Sequence, residues 1–367
     1  MNSGKPLVSI IFVTFNYHEN LNECLQSLRK QTYSDFEIII VDNGSDREML
    51  SYLEKLDSKI KCIKTGVNNG FGRGNNIGIA ASNGELIVFS NYDAVYDSLW
   101  LEKLVNTACA SEDIGVVAPK ITFYDDREKI NTCGLFFSYL GYACSSDIYK
   151  HSDIINGKKE IATASGCCFL IKRSLIDIIG VFDEEYHHFG SQFFFSSLED
   201  IDLCWRVKLA GKKIVLDSDS VMYHKYNKKE LSLLRYLYLE CGRYYILLKN
   251  YQLFTLILLM PALLSFESLT WFFAAINGMS FLKTKAKSYI ILLQKLSNIR
   301  NKRDEIKQLR KVNDEKILDG FGSFVELRQG AFTHLQAKII ENILNPVFSI
   351  YKLLAMIIIK IKSKVIK

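Results

Sequence analysis

The chain has 367 residues, 49% of them hydrophobic and 23% charged, with a formal net charge of +6. That length and balance exclude a disordered polymer and a small disulfide scaffold, and they leave room for one large domain plus an appendage. The charge is unevenly placed. Residues 1–230 hold 25 Lys and Arg against 31 Asp and Glu, a balance of −6, whereas residues 231–367 hold 21 against 9, a balance of +12. A boundary at 230/231 is expected there. The basic half is interleaved with apolar runs, which suits an anionic membrane surface rather than nucleic acid. Nine cysteines show no CxxC pair and no zinc-ligand spacing, and no secretory apolar core follows Met1. Reduced thiols and a cytoplasmic active domain are the expectation.

In chain order, Val8 to Thr14 is a short apolar, β-branched strand. Asn20 to Arg29 is a helix with Leu21, Cys24, Leu25 and Leu28 on one face. Strands follow at Phe36 to Val41 and Ile60 to Lys64, then a helix at Asn75 to Ala81, a strand at Leu86 to Phe89, a helix at Ser98 to Ala110 and a strand at Ile114 to Ile121. Ile214 to Leu216 adds another strand. Short apolar strands alternating with helices predict an α/β fold with a mostly parallel central sheet covered on both faces. Ligands bind such sheets outside the carboxyl ends of the strands, where Thr14, Asp42 and Asp93 fall.

Beyond residue 230 the texture changes. Asn250 to Phe266 is a run of 17 residues without a charge, and after Glu267 the stretch Ser268 to Leu282 gives 15 more. A spanning helix needs roughly 20 apolar residues, so an interfacial helical pair, spanning helices and a soluble helical core all stay open. Lys285 to Lys316 reads as a solvated helix. Tyr351 to Lys367 combines apolar residues with lysines and no acid, which suits a membrane surface.

Four motifs carry chemistry. Asp42, at a strand end, can accept from a pyrimidine imide or a ribose, or can close an ordinary Asx-turn with Asn43, Gly44 and Ser45. Asn68 to Gly78 is glycine-rich and opens a helix. It suits close approach to phosphate or a tight loop packed under the helix, and is only superficially like a dinucleotide fingerprint. Asp93 is an oxygen ligand for Mg²⁺ or Mn²⁺, with Asn91 offering a neutral oxygen, and His224 is a downstream histidine that is either structural or a further ligand. Glu199-Asp200-Ile201-Asp202 opens a helix beside Trp205 and Arg206. Helix capping accounts for one of these acids but not readily for three, and one is a candidate general base.

In order, these motifs resemble a family 2 glycosyltransferase of the GT-A fold, and within it the rhamnosyltransferase-like branch, over roughly Pro6 to Tyr226. The residues that carry the likeness include Val8 to Asn16, Val41 to Asp46, Asn69 to Gly72, Asn75 to Gly78, Asn91 to Ala94, Ala164 to Ile171, Gly180 to Glu184 and Glu199 to Arg206. The resemblance implies that Thr14, Asn16 and Asp42 line the nucleotide pocket, with Asn76 near the nucleotide or diphosphate. It implies that Asp93 and His224 hold a divalent cation, Mg²⁺ or Mn²⁺. Asp200 would be the base of an inverting transfer with Glu199 beside it, Ser165 and Gly166 would floor the acceptor site, and Arg206 would orient the carboxylates. The implied partners are a nucleoside-diphosphate sugar, a glycan or lipid-linked acceptor and a membrane surface, at the cytoplasmic face of the cell membrane. Asn91 stands where a second metal carboxylate is expected, and the 183–199 interval is longer than the pattern, read here as a longer acceptor loop. A catalytically silent scaffold and, more remotely, a dinucleotide-dependent oxidoreductase are the competing readings.

Overall fold

The computed structural model describes residues 6–15, 20–45, 58–189, 198–226, 231–323, 338 and 340–365. They form two compact units, one of residues 1–135, 145–207 and 212–229, the other of residues 136–144, 208–211 and 230–367.

The first unit is α/β. Its strands are β1 (Val8–Thr14), β2 (Phe36–Asp42), β3 (Ile60–Lys64), β4 (Leu86–Ser90), β5 (Ala94–Tyr96), β6 (Ile114–Phe123), β7 (Ile130–Thr132), β8 (Lys158–Glu160), β9 (Cys168–Lys172) and β10 (Lys213–His224). The sheet order is β8-β10-β6-β9-β4-β1-β2-β3, with β5 pairing β10 and β7 pairing β6. The block β4-β1-β2-β3 is parallel throughout, β6 and β10 are parallel, and β9 is inserted antiparallel between β4 and β6. A mixed, mostly parallel sheet therefore stands where the alternation of strands and helices placed one.

Strand alternation assigns the two faces of β1. Val8, Ile10 and Phe12 join Leu21, Cys24, Leu25 and Leu28 of α1 (Asn20–Leu28) in one core. Ile11 and Val13 face the other way, toward α2 (Gly70–Ala81). That helix begins five residues before the expected Asn75, inside the glycine run. A Cβ on Gly74 would lie 2.7 Å from a Val13 methyl, and one on Gly78 only 2.4 Å from a methyl of Ile11. Gly74 and Gly78 share one helix face, so their missing side chains let α2 press onto β1. Close packing outweighs the low helix propensity of glycine. The run serves helix–strand contact, and the dinucleotide reading loses the motif that suggested it.

Helix α3 (Trp100–Cys109) adds Trp100, Leu101, Leu104 and Val105 to the same core as α1. Helix α4 (Arg173–Ile179) follows β9, and α5 (Glu199–Leu209) opens on the acidic motif. None of the nine cysteines is disulfide-bonded.

In the second unit, residues 136–144 carry most of a short strand pair, Leu135–Phe137 with Ala143–Ser145, and the described residues beyond 230 form α6 (Leu233–Asn250), α7 (Leu253–Ile276), α8 (Met279–Gln294), α9 (Leu296–Leu309), α10 (Asp314–Gly320) and α11 (Asn345–Val365). Two expectations change here. The apolar runs on either side of Glu267 are not separate pieces, because α7 continues unbroken through both Pro261 and Glu267. Lys285 does not begin a solvated helix; it lies within α8 with its side chain fully buried.

Gly78→Ala is expected to lower stability by about 1–3 kcal/mol through overpacking against Ile11, read as a shift of the thermal unfolding midpoint. Ile11→Ala in the same chain should recover part of the loss, and two additive single effects would contradict the contact.

Candidate active site

Parallel pairing sets the first part of the site. Thr14 lies in register with Asp42 at the ends of β1 and β2, and the Asn43 N–H donates to the Thr14 carbonyl at 2.8 Å. Both Thr14 and Asp42 are buried. The Asp42 carboxylate accepts from the backbone N–H of Ser45 at 3.0 Å and from its hydroxyl, so the Asx-turn is real. Gly44, at φ +88°, passes so close to Val67 that a Cβ would sit 2.5 Å from its carbonyl carbon. Asn43, expected only as part of the turn after Asp42, is the hub of this edge. Its amide donates to Asn68 Oδ1 at 3.1 Å and to the Gly70 carbonyl at 3.0 Å, and its Oδ1 accepts from the Asn69 N–H at 2.8 Å. Asn16 lies outside the described residues.

A second cluster is built by an antiparallel pairing. His224 on β10 is in register with Ala94 on β5, and the Lys225 N–H donates to the Asp93 carbonyl at 2.9 Å. Residues 131 positions apart are thereby brought together: His224 Nε2 stands 3.3 Å from Asp93 Oδ1. On the other side of the ring, Nδ1 meets Asn131 Oδ1 at 2.9 Å. With Nδ1 donating to Asn131, Nε2 is the nitrogen turned toward Asp93. Burial opposes charge on His224, but the nearby Cys167 thiol and the Asp93 carboxylate hold its pKa up at about 10. Asn91 turns its amide N–H₂ to the Cys167 sulfur at 3.6 Å. Among the described residues no three His, Cys, Asp or Glu side chains group as a metal cage. The Asp93 oxygen and the oriented His224 nitrogen are nonetheless a chemically suitable pair for Mn²⁺ or Mg²⁺, with remaining positions left to a diphosphate.

The third cluster surrounds the acidic motif. Glu199, Asp200 and Asp202 are all buried at the start of α5. The Gly166 N–H donates to Asp200 Oδ2 at 2.6 Å, and the Ile201 N–H to Oδ1 at 2.9 Å. The Ser165–Cys168 turn connects this cluster to the previous one. Its Gly166 holds Asp200, while its Cys167 faces His224 and Asn91, and the Asn91 N–H donates to the Cys167 carbonyl at 2.9 Å. Glu199 packs beside the glycine run, its Cγ 3.8 Å from where a Gly72 Cβ would be.

Two expected site residues are employed elsewhere. Asn76 uses its amide to clamp α2 to residues 182–184: it donates to the Phe182 carbonyl at 2.9 Å and Glu184 Oε1 at 3.0 Å, and accepts from the Phe182 N–H at 3.0 Å. Arg206 does not reach Glu199 or Asp200 by any hydrogen bond. It pairs with Asp202 one helical turn back, Nε to Oδ2 at 3.1 Å, and donates to the carbonyls of Ile179 and Gly180 at 2.6 and 3.0 Å. A guanidinium fork suits these converging acceptors at the carboxyl end of α4.

Beside His224 lies a cavity of about 240 Å³, lined by Phe123, Tyr124, Asp125, Asp126, Tyr149 and Tyr226 among others. The Phe123 and Tyr149 rings stack at 5.1 Å. Aromatic faces with adjacent carboxylates offer stacking and hydrogen-bond acceptance together.

With this geometry in view, residues 9–180 match the model for glycosyl transferase family 2. The likeness to family 2 glycosyltransferases is thus supported over that part of the chain. It is 31% identical over 156 residues to a glycosyltransferase of Haemophilus influenzae, covering 41% of this chain and 46% of that one. It is 26% identical over 235 residues to the O-antigen biosynthesis protein RfbC of Myxococcus xanthus, covering 60% of this chain and 17% of the relative. The chain thus spans less than half the length of these two relatives. The crystal structure of GalNAc-T7 with UDP, GalNAc and Mn²⁺ superposes with a TM-score of 0.53 over 78% of this chain and 56% of that one, at 14% identity. The shared architecture is GT-A-like.

Arg206→Ala would remove the guanidinium from the buried Asp202 carboxylate, and a loss of about 3–5 kcal/mol is expected in urea unfolding. An unchanged unfolding midpoint would return Arg206 to the acceptor side.

Proposed function

We propose that this chain is an inverting, metal-dependent glycosyltransferase. It moves a sugar, rhamnose in our reading, from a nucleoside-diphosphate donor to a hydroxyl of a lipid-linked or growing surface glycan. The observation that carries this is the meeting of Asp93 with the Asn131-oriented His224, joined through the Ser165–Cys168 turn to the buried Asp200. The family 2 likeness supports the reaction class, and the likeness to an O-antigen biosynthesis protein supports a surface glycan as product.

Thr14 and Asp42, at the carboxyl ends of adjacent strands, receive the nucleotide. Asp93 and His224 would hold Mg²⁺ or Mn²⁺, which supplies neutralisation of the charge on the departing diphosphate. Asp200 takes the proton of the acceptor hydroxyl as that oxygen attacks the anomeric carbon. The Gly166 N–H fixes the direction of the carboxylate, which sets the reacting atoms in line. Glu199 stands next to it on the acceptor side with Ser165 and Gly166, and Asp202 belongs to the structural pair with Arg206. Residues 1–230 act as the catalytic domain. The basic residues 231–367 hold it to a membrane surface, at the cytoplasmic face, beside the acceptor.

Asp200→Asn should bind donor with unchanged affinity and lose transfer by about 10²–10⁴-fold, measured as release of nucleoside diphosphate. Retained turnover would remove Asp200 from the role of base. A chain that turns over no nucleotide sugar even with Asp200 intact would favour the silent scaffold.

Asn131→Ala should weaken Mn²⁺ affinity by roughly 10–100-fold in a calorimetric titration with nucleoside diphosphate present, because Asn131 sets the His224 ring. The same affinity in both proteins would take His224 out of the metal site.

A further inference from the structure

Two helices of the second unit, Leu253–Ile276 and Glu341–Lys364, are long and apolar enough to cross a membrane. At about 1.5 Å per residue, α7 alone reaches across a hydrocarbon layer of about 30 Å. Its side-chain partners argue against crossing. Glu267, well inside α7, receives Arg243 of α6 at 2.7 Å and Lys285 of α8 at 2.7 Å. Glu240 of α6 accepts from both cations, and the Tyr244 and Tyr289 hydroxyls donate to Glu267. Burial acts to raise the Glu267 pKa, but the Arg243 guanidinium and the bonds from Lys285, Tyr244 and Tyr289 hold it down at about 2. The charges balance within one buried cluster of two acids and two bases.

This cluster ties α7 to helices that do not themselves suit a bilayer. Helix α6 carries Arg235, Glu240, Arg243 and Lys249, and α8 carries Lys283, Lys285 and Lys287. If α7 crossed, either those charges would follow Glu267 into hydrocarbon or Glu267 would enter it unpaired, and both are costly.

The outer faces are different. On α7 the side chains of Leu253, Ile257, Met260 and Leu264 are exposed at helical spacing, and on α11 those of Val347, Ile350, Leu354, Ile357 and Ile361 are. The inner rows, Leu259, Ala262 and Phe266 on α7 with Phe348, Ala355 and Ile359 on α11, are buried. The two helices are joined by the Tyr351 hydroxyl donating to the Leu258 carbonyl at 2.7 Å and by the Lys362 ammonium 3.5 Å from the centre of the Phe254 ring. Lys352, Lys360, Lys362 and Lys364 punctuate α11. Each helix therefore has a covered side and an uncovered apolar stripe, with cations close by. That is the pattern of an interfacial helix on anionic lipid.

We infer that α7 and α11 lie in the headgroup plane of an anionic bilayer, and that neither crosses it. The inference rests on the membrane attachment proposed above and settles its form. Both ends of α7 then stay on the side of the catalytic domain.

The test uses the full chain, expressed in bacteria, with Asn277→Cys placed in the exposed turn after α7. Spheroplasts are treated with a membrane-impermeant maleimide before and after lysis, and labelling is read by peptide mass spectrometry at position 277 and at the native, exposed Cys109. The expected result is that both positions stay unlabelled until lysis and then label together. Labelling of position 277 on the opposite side from Cys109 would overturn the in-plane arrangement while leaving membrane attachment standing. A second arm takes the purified chain with phosphatidylcholine vesicles, with and without phosphatidylglycerol. Binding should require the anionic lipid, and Leu264→Asp with Leu354→Asp should weaken it by roughly tenfold or more with an unchanged melting midpoint. Failure to bind either vesicle would overturn the attachment itself, and binding that ignores the anionic lipid or the two aspartates would overturn the proposed docking face.

Discussion

Parallel pairing of β1 with β2 on one side and β4 on the other is the constraint on which the α/β unit depends. It ends three strands at one edge, so that Thr14 is in register with Asp42 and the chain leaving Ser90 runs directly to Asn91 and Asp93. The pairing is sustained from both faces. Val8, Ile10 and Phe12 are covered by α1 and α3, while Ile11 and Val13 are covered by α2 at the closest approach that glycine allows. A bulkier residue at Gly74 or Gly78 would move the helix whose first turn packs on Glu199 and whose Asn76 holds residues 182–184. The glycine run thus serves the site by fixing a helix against the sheet.

The chemistry depends on two connections of another kind. Pairing of β5 with β10 delivers His224 to Asp93, and the Ser165–Cys168 turn stands between that pair and Asp200. The Asp93–His224 pair and the Asp200 carboxylate, proposed above as metal ligands and base, are therefore tied to one short segment. A displacement of the turn would be felt by both at once, which is the condition for coordinated departure of a leaving group and removal of a proton. The acidic motif, by contrast, divides its labour. Asp200 is held by backbone N–H groups, whereas Asp202 is neutralised by Arg206, whose remaining donors close the end of α4.

The helical unit applies the same electrostatic rule to a different end. Its buried cluster of Glu240, Arg243, Glu267 and Lys285 fixes α7 along one side and leaves the opposite side apolar and uncovered. Paired burial of charge is thus compatible with a long apolar helix, provided that the helix does not leave the partners behind.

The sequence by itself determined the α/β alternation, the strand of Val8 to Thr14, the strand-end placement of Thr14, Asp42 and Asp93, and the acidic opening of α5, because each follows from local periodicity and turn chemistry. The change of charge at residue 230 was equally plain. Tertiary structure alone decided the partners: Asn131 for His224, Gly166 for Asp200, Phe182 for Asn76, the carbonyls of α4 for Arg206, and Arg243 with Lys285 for Glu267. These contacts join residues from 18 to 106 positions apart. A hydrogen bond between distant segments leaves no periodic trace in either one, so only the packed chain could show which polar group meets which.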